Sequence, residues 1–437
     1  MQKLDNKIHF FPQHWSVSRE RMYNFIKKYY LLNRTVVSND QTKFANDLKK
    51  LFDGKIIKEK PGSKCLTWKI PKNWNVKEAY ISDLKNNVII DYRNNPLHLW
   101  SYSKSFDGKI STTDLLKHIS TDINRPDEFP YHYSNSFNHN YDQWGFSAPY
   151  NKILKLKDKF YKVKINSSFD NKNHLQVVTK KIKGRSKKTI LIMAHTCHPG
   201  IVSDGIACIA AAYEIFNLLK KRKNYYSYEF IFGPEYFAAA SYLKRNIKNK
   251  KNIKFGIFFD TLSNHEPMTL QKSVQSNTQI DKLFQNIFRN HLKNSKIGNF
   301  KEMIGNDELF YNGTNINIPT IGIARDKNRE YHYNTDNLEN LSLYKLEESI
   351  WVIFRGLIAL ENNKKVKLKY LGPLSRGNFL KEKLKKIKNL DWKKNEKILI
   401  LANGKNSILD ISEKLDVDFY YVLEILKCIP KKFISLR

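Results

Sequence analysis

The chain has 437 residues and a mass of 51.6 kDa, with 41% hydrophobic and 13% aromatic residues, which excludes a disordered polymer and predicts two or three domains with sizeable cores. Its 76 Lys and Arg against 42 Asp and Glu give a formal charge of +34, a field that attracts nucleic acid, anionic membrane or acidic glycan. The excess is spread along the whole chain with abundant Asn, Ile, Tyr and Phe, the composition an AT-rich genome imposes, so charge alone assigns no partner.

Four scattered cysteines are too few to staple a chain of this size. No apolar run reaches the roughly 18 residues of a membrane helix. The start, MQKLDNKIHFFPQHW, lacks a signal-peptide core. A cytoplasmic protein with reduced thiols and no membrane span is expected.

From residue 15 to 52, WSVSRERMYNFIKKYYLL and NDQTKFANDLKKLF carry apolar residues at three and four spacing, which predicts two helices. They are joined by the polar turn NRTVVSND, which holds Arg34. From about 53 to 120 the pattern changes to short β-like runs, LTWKIP, EAYISD, NVIIDY and LHLWSYS, broken by turns. A small β-rich unit at 53–128 is therefore expected to interrupt an α/β domain made of 1–52 and 129–362. The next stretch, FPYHYSNSFNHNYDQWGFSAP, is aromatic yet too polar for a core. It predicts either a cleft-lining segment, with Tyr131, Tyr133 and Trp144 toward a substrate, or a surface connection held by aromatic packing.

Beyond two strand patterns, KFYKVKIN and LQVVTKKI, strands and helices alternate. KTILIMAH, YEFIFGPE, KFGIFFDTL and IPTIGIARD read as strands. IACIAAAYEIFNLLKK, FAAASYLKRNI, IDKLFQNIFRNHLK and LYKLEESIWVIFRGLIALE read as helices. This order predicts a mostly parallel or mixed sheet covered by helices on both faces. Residues 364–437 hold 19 Lys and Arg against 8 Asp and Glu and read helix, turn, helix, with Asn406 or Ser407 as a cap and LDVD as the turn. That is a helix-turn-helix or winged-helix unit. Its candidate recognition helix, DFYYVLEILKCI, carries one Lys and two acids, which suits packing against protein better than contact with phosphate. The basic residues cluster upstream, in KEKLKKIKN.

Chemistry-bearing side chains stand at strand ends. His195 closes MAH, Glu235 closes FGPE, Asp260 closes FFD and His332 follows the last strand in EYH, while Asp204 opens the helix after the first of these strands. The carboxyl edge of an open α/β sheet is where ligands and metals bind. Imidazole and carboxylate are zinc ligands, and a hydrolytic zinc site keeps an open position for water and a carboxylate to take its proton. His198, in the same HTCHP turn, competes with His195 as a ligand. Asp307 and Glu308 in GNDELFY are either further acids of the site or a solvated turn. Cys197 is expected to be a buried structural thiol.

The phrases LNRTVVSND, LTWKIPKNWNVKEAYI, NNPLHLWSYS, FPYHYSNSFNHNYDQWGFS, HTCHPGIVSDGIA, GPEYFAAASYL, GNDELFYNGTNINIP and EYHYNTDNLENL together resemble a bacterial aminopeptidase-like family of unknown physiological role, often encoded among surface-polysaccharide genes. The resemblance implies an α/β fold: a three-layer, zinc-exopeptidase-like sheet with helices on both faces, an inserted β-rich domain, and a C-terminal winged helix-turn-helix at 364–437.

Carried over by position, His195 and His332 match terminal metal ligands, Asp204 the carboxylate between two metals, and Asp260 a further ligand. Glu235 falls where exopeptidases have two adjacent glutamates. Here Pro234 precedes it, so one zinc ion is expected and two remain open. Cys197 stands where an Asp orients the imidazole.

The implied activity is zinc-dependent hydrolysis of an amide in a peptide-like or amino-sugar substrate, with Glu235 as base and Arg34 pairing with a substrate carboxylate. The other reading is a degenerate hydrolase fold that binds protein or nucleic acid through the winged helix, the latter only nonspecifically. A homo-oligomer is compatible with both.

Overall fold

The computed structural model describes residues 17–139, 141–372 and 391–436. Two helices come first, α1 (Arg19–Tyr29) and α2 (Asn39–Phe52). Each begins where a serine side chain accepts a backbone N–H of the first turn, Ser18 from Arg21 N and Ser38 from Gln41 N. Both bury one apolar stripe, Met22, Ile26 and Tyr29 on α1 and Phe44, Leu48 and Phe52 on α2.

The strands that follow are β1 (Lys55–Glu59), β2 (Asn73–Ser82), β3 (Val88–Asp91), β4 (Phe106–Ser111) and β5 (Phe160–Asp170). Then come β6 (Leu175–Ile182), β7 (Thr189–His195), β8 (Ser227–Gly233), β9 (Ile253–Phe259), β10 (Met268–Gln271), β11 (Lys296–Gly298) and β12 (Thr320–Arg325).

One eight-stranded sheet runs in the order β1, β6, β8, β7, β9, β12, β10, β11. Its centre, β8, β7, β9 and β12, is parallel, and antiparallel neighbours flank it. β7 is buried at every residue because helices cover both of its faces. Ile190, Ile192 and Ala194 face a core shared with α1, α2, α4 (Ile206–Lys220), α6 (Gln279–His291) and α8 (Leu343–Asn362). Leu191 and Met193 face a second core with α5 (Phe237–Asn246). Two short helices complete the elements near the site, α3 (Ser134–Asn138) and α7 (Glu308–Asn312).

Strand pairing does not follow the expected division at 53–128. β1 pairs with β6 on the main sheet, and β5, expected in the α/β domain, is the long strand of a four-stranded sheet ordered β3, β2, β5, β4. Strands β5 and β6, neighbours in sequence, therefore belong to different sheets. Alternate residues of β5 are buried, as in a strand with one solvated face, and that pattern does not say which partner it has.

The C-terminal unit holds β13 (Lys365–Leu368), α9 (Trp392–Leu401), β14 (Asn403–Ser407), α10 (Ile408–Leu415), α11 (Phe419–Cys428) and β15 (Ile434–Leu436). Its antiparallel sheet is ordered β14, β13, β15. Ser407 caps α10. Helix α11 is packed on α6 and α8: Asn286 Oδ1 accepts Phe419 N at 2.8 Å, and Tyr420 Oη donates to Arg355 O at 2.7 Å. The basic run KEKLKKIKN lies outside the described residues, as does the N-terminal stretch before residue 17. Among the described residues no helix is long and apolar enough to cross a membrane.

Candidate metal centre

Strand β7 delivers His195 to the carboxyl edge of the sheet, and the turn from Thr196 to Gly205 brings Asp204 back beneath it. The return needs glycine at 205: φ there is 110°, and a Cβ would stand 2.9 Å from His195 Cε1. β9 brings Asp260, β8 brings Glu235, and the segment after β12 brings His332. His195 Nε2 lies 2.9 Å from Asp204 Oδ1 and 3.7 Å from Asp260 Oδ1, and His332 Nε2 lies 3.0 Å from Asp204 Oδ2. Three groups of candidate ligands, His195 with Asp204 and Asp260, His198 with Asp204 and His332, and His195 with Cys197 and His198, each have their ligand atoms within 4.8 Å of one another. Asp204 belongs to the first two.

The rings of His195 and His198 both enter the cluster, their Nδ1 atoms 3.1 Å apart. The Cys197 sulfur, 3.8 Å and 3.5 Å from the two Nδ1 atoms, sits where both imidazoles meet and accepts Glu235 N at 3.3 Å. Burial pushes the thiol above its ordinary range.

Among the described residues His195 Nε2 and Asp260 Oδ1 are buried with no hydrogen bond of good geometry, held only by the ion-pair contacts at 2.9 Å and 3.7 Å. Such atoms are costly unless something satisfies them, and a nitrogen lone pair beside two carboxylates is the donor set of a divalent cation. The electrostatics follow the same geometry. Burial drives His198 down to about 3, so its ring is neutral. Burial and the Asp204 charge raise Asp260, whereas against its own burial Asp204 is held well below the usual carboxylate range by the hydrogen bonds of His195 and His332.

Glu235 lies 3.8 Å from His198 Nε2 through Oε2, and burial, with the nearby carboxylates of Asp204, Asp307 and Asp260, pushes it up to about 8 against the pull of His195. Four non-glycine residues at the centre have left-handed backbone: His198, Tyr236, Thr261 and His332, at φ of 77°, 61°, 42° and 61°. Strain gathered at one place in this way marks a functional site.

Several expected residues are placed otherwise. Arg34 does not face a substrate carboxylate. It is wholly buried, and its guanidinium donates to Tyr29 O, Thr196 O and His198 O, tying down the loop that carries His198. Trp144 lies in the core of the small sheet, stacked on His118 at 3.9 Å. Glu308 is wholly buried and engaged by Asn306 N and Gln271 Nε2, so it is no acid of the cluster. Asp307 is closer, its Oδ1 accepting Tyr236 N at 2.5 Å. Tyr131 and Tyr133 do meet the cluster, their rings 5.4 Å from His198 and 5.2 Å from His332.

One residue escaped the sequence reading, Asp336. Its carboxylate accepts Ser203 N and Ser203 Oγ, both at 2.8 Å, and fixes the loop just before Asp204. The signal available was a carboxylate four residues beyond His332, in NTDNL.

A parallel-centred sheet with imidazoles and carboxylates collected on its strand ends is an aminopeptidase-like fold. The crystal structure of a Clostridium acetobutylicum protein described as a peptidase matches it with a TM-score of 0.88 at 26% identity, over 96% of each chain. A zinc aminopeptidase of Bacillus subtilis shares the fold at 12% identity, with a TM-score of 0.56 over 80% of this chain and 96% of that one. A C. acetobutylicum protein named for polysaccharide biosynthesis and an aminopeptidase-like domain is 28% identical over 421 residues, 94% of this chain and 95% of its own. The chain belongs to the family DUF4910, described as a domain of unknown function, which matches residues 23–363.

Proposed function

We propose that this protein is a zinc-dependent amide hydrolase of the aminopeptidase-like type, acting in the cytoplasm on a peptide-like or amino-sugar substrate in surface-polysaccharide biosynthesis. The observation that carries the reading is the pair of ligand sets sharing Asp204, beside a buried carboxyl group that neither set uses. His195, Asp204 and Asp260 would hold one ion. His198, Asp204 and His332 would hold a second, His198 supplying the ligand that the missing second glutamate would have supplied.

When bound, the ions supply Lewis acidity that polarises the scissile carbonyl and acidifies water. Glu235 Oε2 takes the proton of the attacking water and hands it to the leaving nitrogen as the C–N bond breaks. In the metal-free protein burial raises that carboxyl to about 8, and cations held at the cluster would lower it. Tyr131 and Tyr133 close one side of the cluster against bulk water. Arg34 and Asp336 hold the two ends of the loop between His195 and Asp204, so that the ligands stay in place without an ordering cost at binding.

Protein purified without chelator should carry about two zinc ions per chain. Glu235→Gln should keep both while lowering amine release from aminoacyl amides by roughly 10² to 10⁴. Loss of metal on that substitution would make Glu235 a ligand, and a wild-type protein that holds no zinc would end the hydrolase reading.

The alternative, a binding module that contacts nucleic acid through residues 364–437, is disfavoured by the packing of α11. We read that unit as a winged helix-turn-helix whose recognition helix is spent on the α/β domain. His291 Nε2 lies 3.2 Å from Asp418 Oδ1, and the Arg355 guanidinium lies 3.6 Å over the Tyr420 ring.

A further inference from the structure

We propose that the cleft beside Glu235 contains a carbohydrate subsite, an aromatic shelf that takes a pyranose ring of the substrate; the proposal rests on the hydrolase reading and chooses the amino sugar over the peptide. Four separate segments contribute its rings: Tyr133 and Phe137 from α3, Tyr236 from the turn after β8, Trp68 from the short hairpin of Lys64–Cys65 and Trp68–Lys69, and Phe310 from α7. They form a continuous row. Tyr133 is 5.2 Å from the His332 ring and 6.0 Å from Phe137, Phe137 is 6.0 Å from Tyr236, and Tyr236 stacks on Trp68 at 5.0 Å and 21°. Phe310 flanks the far end, 5.7 Å from Trp68.

None of the five is fully buried, and Tyr133 is 37% exposed. Trp68, Phe137 and Phe310 pack from outside on the core of Phe237, Tyr242 and Tyr311 and stay only partly covered. Apolar surface collected at one place and left accessible marks a binding site. Tyr236 is held there deliberately: at φ 61° its N–H donates to Asp307 and its Oη donates to Gly305 O at 2.7 Å, which fixes the ring next to the proposed base.

The chemistry of the row selects the occupant. Flat rings match the apolar C–H face of a pyranose, and the Tyr133 hydroxyl and the Trp68 indole N–H are the groups of the row suited to its hydroxyl edge; an aliphatic side chain would be better served by Leu, Ile or Met.

The test is ligand-observed saturation-transfer NMR on the full chain, metal-loaded and after EDTA treatment, with methyl N-acetylglucosaminide and L-phenylalaninamide as probes. The expected result is saturation of the sugar ring protons in both preparations. Trp68→Ala and Tyr133→Ala, each checked for an unchanged denaturation midpoint, should weaken sugar binding about tenfold, and Trp68→Phe should retain most of it. The proposal is overturned if the sugar gives no signal, if both alanine variants bind it as well as wild type, or if L-phenylalaninamide occupies the shelf and the sugar fails to displace it. Because the readout does not need metal or turnover, failure of the hydrolase reading leaves a positive sugar result standing. A negative sugar result with intact amide cleavage returns the substrate to peptides.

Discussion

Replacing Arg34 with methionine asks what holds the metal loop in place. The guanidinium donates from Nε to Tyr29 O at 3.0 Å, from Nη1 to Thr196 O at 2.6 Å and from Nη2 to His198 O at 2.9 Å, in a position with no solvent exposure. Methionine fills the stem but donates nothing; Tyr29 O keeps its bond from Leu32 N at 3.2 Å, whereas Thr196 O, Cys197 O and His198 O lose their partner at about 1 to 3 kcal/mol each. Burial lowers the Arg34 pKa from 12.5 to about 10, so removing the charge recovers on the order of 3 kcal/mol. The net loss is on the order of 3 kcal/mol.

Urea titration of the metal-free protein measures it, and competition with a chromophoric chelator measures the weakened zinc affinity expected from a loosened His198. Arg34→Lys should recover only part of both, because one ammonium cannot span three carbonyls. A methionine variant with wild-type midpoint and wild-type zinc affinity, impaired only toward substrates bearing a carboxylate, would refute this account and restore the substrate role that the sequence implies for Arg34.

Three further outcomes are expected. His198→Ala should halve the zinc content while His195→Ala and Asp204→Ala lower it further, measured by mass spectrometry of the desalted protein; unchanged content in His198→Ala would remove it from the ligand set. Burial raises the Glu308 carboxyl from 4.5 to about 7, so below pH 4.5 the group is neutral in both states and contributes nothing. As pH rises toward 7 the unfolded chain ionises first and stability falls, by about 3 kcal/mol in all. Glu308→Gln should therefore gain on wild type between pH 4 and pH 8 in urea titrations, and parallel profiles would contradict the assignment. Nucleic acid should bind weakly, without sequence preference, and be lost on the order of 0.2 M salt. A sequence-specific complex that survives that salt in a gel-shift assay would mean that α11 leaves its packed position.

The element order was legible because burial on two faces writes itself into composition. KTILIMAH is apolar throughout because helices cover both sides of β7, and the strand-end residues His195, Glu235 and Asp260 could be grouped because parallel strands present their carboxyl ends at one edge. Sheet membership was not legible in the same way. An alternating strand such as β5 shows which residues face inward but not which partner pairs with it, so its place in the four-stranded sheet waited for the register of β2 against β5.

The site divides along the same line. The sequence carried the residue types of the centre, since imidazole and carboxylate at strand ends are ligand chemistry wherever they occur. Only the tertiary structure decided how each is used. It brought His198 in beside His195, and it turned Arg34, which a polar turn advertises as a surface charge, inward onto carbonyls more than a hundred residues away. It put Asp336 under the loop of Asp204 and separated Asp307, which reaches Tyr236, from its neighbour Glu308, which turns to Gln271. Hydrogen-bond partners distant in sequence leave no local pattern, because any polar residue type can meet them.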